Sequence, residues 1–238
     1  MLPLPEHTRK HLPKTAVFML PLIFIICLIP MYILHYVYTK RLFSEDRLFE
    51  NLQVLFYFLS SSAALFIGIR FVKARNNLFG SLYLVLALAL FVVAMEEISW
   101  GQRIFDIPTP TFFEEHNFQG ELSIHNLGET WDYLHLAYMV VGFLGAFAWL
   151  ILPAGIKVNY SSWVNFLVPS WYLSTYFIPT FLIYLYFDIS AYLGGLFLPL
   201  IKYGDQEPAE FLMSLGVLLF LIINMHRQTL RQSLHRLW

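Results

Sequence analysis

The side chains able to do chemistry are gathered between Glu96 and His135. The stretch opens with Glu96-Glu97-Ile98-Ser99-Trp100-Gly101-Gln102-Arg103 and continues through Phe112-Phe113-Glu114-Glu115-His116-Asn117. Gln119, Glu121, His125 and Asn126 follow, then Trp131-Asp132-Tyr133-Leu134-His135. Carboxylates and imidazoles are ligands that suit zinc, manganese or iron, and three of them leave a metal an open position for water. Glu121, His125, Asp132 and His135 are therefore the candidate ligands of a divalent metal such as zinc. Asp132 and His135 stand three apart, the spacing of the carboxylate-x-x-His pairs that hold metals in helical bundles. Glu96 and Glu97 are candidate catalytic carboxylates, one of them a general base, and Arg103 is suited to hold an anionic group such as a lipid phosphate. Without a metal the same groups can still move protons.

The spacings set conditions on this site. If the helix before Glu96 continues, Glu96, Trp100 and Arg103 fall at i, i+4 and i+7, and the arginine can reach back to a carboxylate. Asn117, Glu121 and His125 are four apart and share a face if that segment is helical, against which Gly120 argues. Adjacent Glu96 and Glu97 cannot point the same way. The competing explanation is structural: Glu114 and Glu115 as solvated acids, Trp100 and Trp131 as interfacial anchors, and each histidine satisfied by a backbone carbonyl.

The string Glu-Glu-Ile-Ser-Trp-Gly-Gln-Arg, followed by His-Asn-x-Gln-x-Glu and a second His-Asn, resembles a group of uncharacterised bacterial polytopic membrane proteins over residues 94 to 135. No activity comes with that likeness. The CAAX-type membrane proteases are similar in having Glu-Glu-x-x-x-Arg and Phe-x-x-x-His motifs. Phe112 to His116 fits the second, but Arg103 comes too late for the first and no later His-x-x-x-Asn follows. Ceramidase-like hydrolases share three histidines and an aspartate on seven helices, but take His-x-x-x-His from the last one, where this chain has only His226.

Elements that position such a loop must be membrane helices. Of 238 residues, 58% are hydrophobic and only 13% charged, against roughly 25% charged in soluble domains. The mean hydropathy is +0.60. Disorder and a disulfide scaffold are excluded by the apolar composition and the single cysteine. An all-α polytopic transmembrane bundle is expected, as a single integral membrane domain over 1–238. Its six spans are 16–38, 52–72, 78–95, 131–152, 163–187 and 208–225, with a structured outer loop between the third and fourth. Residues 189–201 are a re-entrant segment or, alternatively, a seventh span, and 226–238 form a basic amphipathic tail. Arg9, Lys10 and Lys14 precede the first run, which is too long for a signal sequence and is expected to stay as a helix.

Charge orients the bundle. With six spans and both termini cytoplasmic, ten of 15 basic residues lie inside and 15 of 16 acids outside. A seventh span would leave eight basic residues inside and seven outside, a weaker bias. The expected location is the cell membrane, the bacterial inner membrane, as a multi-pass protein. A 35-residue connection from Glu96 to Thr130 exceeds what a linker needs, and its aromatic residues argue against disorder. The function expected is a metal-assisted hydrolase or transferase on a lipid-like substrate, with the site facing outward. The alternative is a non-enzymatic assembly subunit, with a partner protein, or a transporter. The spans hold few ionisable groups, which counts against a charged-solute pathway. Basic residues are scattered at membrane edges, so no nucleic acid is expected.

Overall fold

Long apolar runs without strand-like alternation can satisfy their backbone in lipid only as helices, and helices are what they form. The computed structural model describes residues 13–43, 48–151, 163–193 and 205–235. The long helices are α1 (Lys14–Phe43), α2 (Leu48–Lys73) and α3 (Asn77–Glu97). Two short helices, α4 (Gln102–Phe105) and α5 (Thr111–His116), lie in the connection that follows α3. The remaining long helices are α6 (Trp131–Ile151), α7 (Ser174–Tyr192) and α8 (Glu207–His235). No strand ladder forms among the described residues; an isolated bridge pairs Asn117 with Leu127. Among the described residues, five helical stretches are long and apolar enough to cross a membrane: Lys14–Thr39, Leu48–Lys73, Asn77–Glu97, Tyr133–Leu150 and Glu207–Thr229.

The sequence run from 163 to 187 is not one helix. Residues Trp163–Phe166 and Trp171–Leu173 form separate 3-10 turns on either side of Pro169, and Ser170 is extended. Proline lacks the N–H a helix needs and pushes its predecessor out of helical geometry, so α7 starts at Ser174 and runs past the expected end to Tyr192. At 19 residues it is about 28 Å long, and it is not among the five stretches long and apolar enough to cross a membrane. The segment 189–201 falls mostly outside the described residues, which resume at Asp205. The expected tail continues α8 without a break as far as His235.

Small residues bring the helices together. A side chain on Gly142 would meet the Phe181 backbone nitrogen at 2.7 Å, so α6 and α7 approach as closely as glycine allows. One turn on, the Ala146 carbonyl accepts hydrogen bonds from Ser174 Oγ (2.7 Å) and Trp149 Nε1 (2.8 Å). Gly80 does the same for the α2–α3 hairpin, lying against Val72. Its turn is closed by Asn76, whose side chain accepts from the Phe79 N–H. Thr180 Oγ1 donates to the Ala209 carbonyl, tying α7 to α8. At the end of the bundle away from the 98–130 connection, Arg227 donates to the Asn165 carbonyl, Asn224 and Ser170, which anchors the turns before α7.

Candidate functional site

The last two residues of α3 face different ways, as adjacency on a helix requires. Glu96 turns to the connection. Its carboxylate accepts from the Ile124 N–H (2.6 Å), the His125 N–H (3.1 Å) and Trp100 Nε1 (2.6 Å), and it pairs with His125 Nδ1 at 3.3 Å. Glu97 turns into the bundle, where Gln53 Nε2 of α2 donates to it at 3.1 Å.

The chain does not continue α3 past Glu97 as a helix. Ser99 (φ 48°), Trp100 (φ 55°) and Gly101 (φ 78°) take left-handed backbone in succession, a conformation that costs non-glycine residues energy and collects at functional sites. The i, i+4 contact expected of a helix nevertheless forms between Glu96 and Trp100, while the Arg103 backbone sits in α4 after the reversal; its side chain lies outside the described set. The segment 117–125 is not helical either. Asn117 is extended and Gly120 has φ 65°, so Asn117, Glu121 and His125 share no helix face. A hydrogen-bond mesh holds the connection instead. Gln102 Oε1 accepts from the Leu122 N–H (2.6 Å), Thr109 Oγ1 donates to the Gly120 carbonyl (2.9 Å), and Asn117 Nδ2 donates to the Ser123 carbonyl (2.7 Å).

Three of the four expected metal ligands are engaged with different partners. The Glu121 carboxylate accepts from Ser99 Oγ at 2.5 Å. His125 pairs with Glu96, and His135, which is buried, pairs through Nδ1 with Asp188 of α7 at 3.3 Å. Asp132 lies in the first turn of α6, with its side chain outside the described set. Among the described residues no group of three or more His, Cys, Asp or Glu side chains is placed to hold a metal ion.

What the fold does bring together is a polar cluster inside the bundle. Glu210 of α8 is 6% exposed, accepts a short hydrogen bond from the Tyr184 hydroxyl and lies within reach of the Gln53 side chain. Gln53 itself is 1% exposed and stands between two carboxylates from different helices, donating to Glu97 and lying beside Glu210. Tyr138 stacks on Tyr184 with ring centroids 4.7 Å apart, and the His135 ring meets Tyr184 edge-on at 5.0 Å. The aromatic walls and the burial of Gln53 and Glu210 make every hydrogen bond here count for more than at the surface. His125 closes the loop side of this cluster. Burial favours its neutral ring, but the hydrogen bond its Nδ1 donates to Glu96 and the fields of Glu97, Glu96 and Glu210 outweigh that and raise its pKa above the ordinary histidine value.

Residue types and spacing mark Glu96, Glu97, His125 and His135, whereas Glu210 stands in the first turn of α8, where an acid is ordinary. Its neighbours in the cluster, Gln53, Tyr138 and Tyr184, went unnoticed. The signal for Gln53 and Glu210 was present, since a polar side chain within an apolar span is a functional marker by default. The bundle thus holds more ionisable groups than the spans suggested. Compared with known proteins, the chain matches no family model, no curated protein and no solved structure. The reading of the site therefore rests on its own geometry.

Proposed function

We propose that this integral membrane protein carries out acid–base chemistry on a lipid-like substrate, as a hydrolase or transferase, at the membrane face where α3 ends. The observation that carries the reading is the Glu97–Gln53–Glu210 arrangement, two carboxylates from different helices on either side of one amide and flanked by the Tyr184 hydroxyl. Glu97 is the general base. Glu210 with Tyr184 relays the proton, and the His125 ring, held by Glu96, offers a hydrogen-bond donor beside the place where negative charge develops. Arg103 holds the anionic part of the substrate. In the six-span topology with both termini cytoplasmic, this face looks outward from the inner membrane, toward membrane lipids in the outer leaflet.

The reading asks no metal to complete the chemistry. A zinc-type centre built on Glu121, His125, Asp132 and His135 would require three of these groups to leave their present partners or to turn toward Asp132. The test is to place purified full-length protein in vesicles of bacterial polar lipids, alone and with EDTA, and follow the lipids by mass spectrometry. A new lipid product is expected that survives EDTA and disappears in Glu97→Gln and Glu210→Gln. Identical lipid profiles for the wild type and both variants overturn the reading, and a product lost on chelation moves it to a metal mechanism.

A second reading is favoured by the burial of Glu210: a carrier that moves a proton across the bundle. Acidification inside vesicles, abolished by Glu210→Gln with no lipid product, would select it.

A further inference from the structure

A separate feature lies on the other side of α8. A cavity of about 440 Å³ opens between α1, α7 and α8, within the range of about 300–1,000 Å³ that holds small ligands. Its floor is apolar and packed, from Leu28, Ala209 and Leu212, and its rim includes Ile29 and Leu182, which are exposed. An opening lined this way faces hydrocarbon, so its natural content is an apolar chain and not water.

One end differs. Tyr32 and Asp205 are the polar lining residues there. The Tyr32 hydroxyl is shielded from solvent and, among the described residues, has no hydrogen-bond partner. A buried hydroxyl without a partner is costly, and a ligand oxygen in the cavity would relieve that cost. Asp205 and Glu207 both lie within electrostatic reach of that hydroxyl, so the acids set the character of this end. The polar end therefore repels an anionic head and suits a cationic one.

We propose that this cavity is a lipid site holding one apolar chain of an amine-headed phospholipid, with the ammonium at Asp205 and an ester or phosphate oxygen accepting from the Tyr32 hydroxyl. The assignment rests on the cavity alone and stands apart from the reaction proposed for the carboxylate pair, because binding is what the test reads.

Purified full-length protein in detergent is given equal amounts of phosphatidylethanolamine and phosphatidylglycerol with matched chains, and retained lipid is counted by native mass spectrometry. The wild type is expected to retain the ethanolamine lipid in preference. Tyr32→Phe keeps the ring and should weaken that retention roughly threefold to tenfold, the worth of one hydrogen bond. Asp205→Asn should erase the preference between heads. Leu182→Trp, on the exposed rim, fills the cavity without entering the packed core and should lower retention of both lipids. Equal retention of the two lipids by the wild type overturns the proposal, as does unchanged retention in Tyr32→Phe or Leu182→Trp, with the melting temperature of each variant showing that it is folded.

Discussion

Gln53 and Glu97, 44 positions apart in the chain, are joined by a 3.1 Å hydrogen bond from the Gln53 amide to the Glu97 carboxylate, and this bond ties the start of α2 to the end of α3. The same amide reaches Glu210 on α8, so one uncharged side chain organises three helices.

Replacing that amide by a hydrocarbon of similar size leaves two carboxylates without their common partner. Gln53→Leu is expected to lower stability by about 1–3 kcal/mol, the cost of leaving buried polar groups unsatisfied. Thermal melting of the purified protein in detergent reads this directly. A variant as stable as the wild type would show that the amide holds nothing together.

His125 predicts a pH dependence. Its folded pKa is raised above the ordinary value of 6.5, so the stability it contributes is full below that value and is lost as pH rises through the folded pKa. Melting temperature measured from pH 6 upward should therefore fall more steeply for the wild type than for His125→Gln. Parallel curves would show that the pair with Glu96 carries no charge-linked stability.

Gly142 predicts a packing penalty. In Gly142→Ala the added methyl would stand 2.7 Å from the Phe181 nitrogen, which is backbone and cannot step aside. α6 and α7 must separate, at a cost of about 1–3 kcal/mol for overpacking. A lowered melting temperature is expected, with no change for an alanine at Gly120, next to which a side chain meets open space, beyond the backbone cost of its φ of 65°.

Gly101 predicts a local effect. At φ 78° it sits where alanine costs about 1–2 kcal/mol, and its methyl would also press on the Phe105 ring at 3.1 Å. Gly101→Ala should loosen the connection more than the bundle. Faster proteolytic nicking within 102–127, at a nearly unchanged global melting temperature, is the expected result.

Orientation has its own test. In a Cys27→Ser background, a cysteine at exposed Glu115 should react with a membrane-impermeant maleimide in intact cells. One at exposed Arg75 should react only after permeabilisation. The opposite pattern would invert the topology and with it the face on which the site acts.

Much of this architecture is legible in the residues. Uninterrupted apolar runs give α1, α2, α3 and α6 nearly to their ends, because helix is the one way to satisfy a backbone in lipid. The start of α7 is not given by apolarity, since Trp163–Val168 reads as greasy while Pro169 decides the geometry. Glu96 and Glu97 mark the site because acids at the end of an apolar helix are expensive. Glu210 is hidden by its place in a first helical turn, where an acid has an ordinary reason to be. Spacing does not reveal the partners of His125 and His135: after three consecutive left-handed residues one ring meets Glu96, while the other turns to Asp188 on a helix far away in sequence.

Glu96 and Glu97 share a peptide bond, yet one grips the surface connection and the other faces the interior. Neighbouring side chains on a helix diverge by about 100°, so the final turn of α3 acts as a shaft with a handle at each side. Twisting it by that angle would bring one carboxylate where the other was. Both carboxylates therefore depend on one turn of helix, and a shift of that turn large enough to break the Glu96 contacts to Ile124 and His125 would also move Glu97 relative to Gln53.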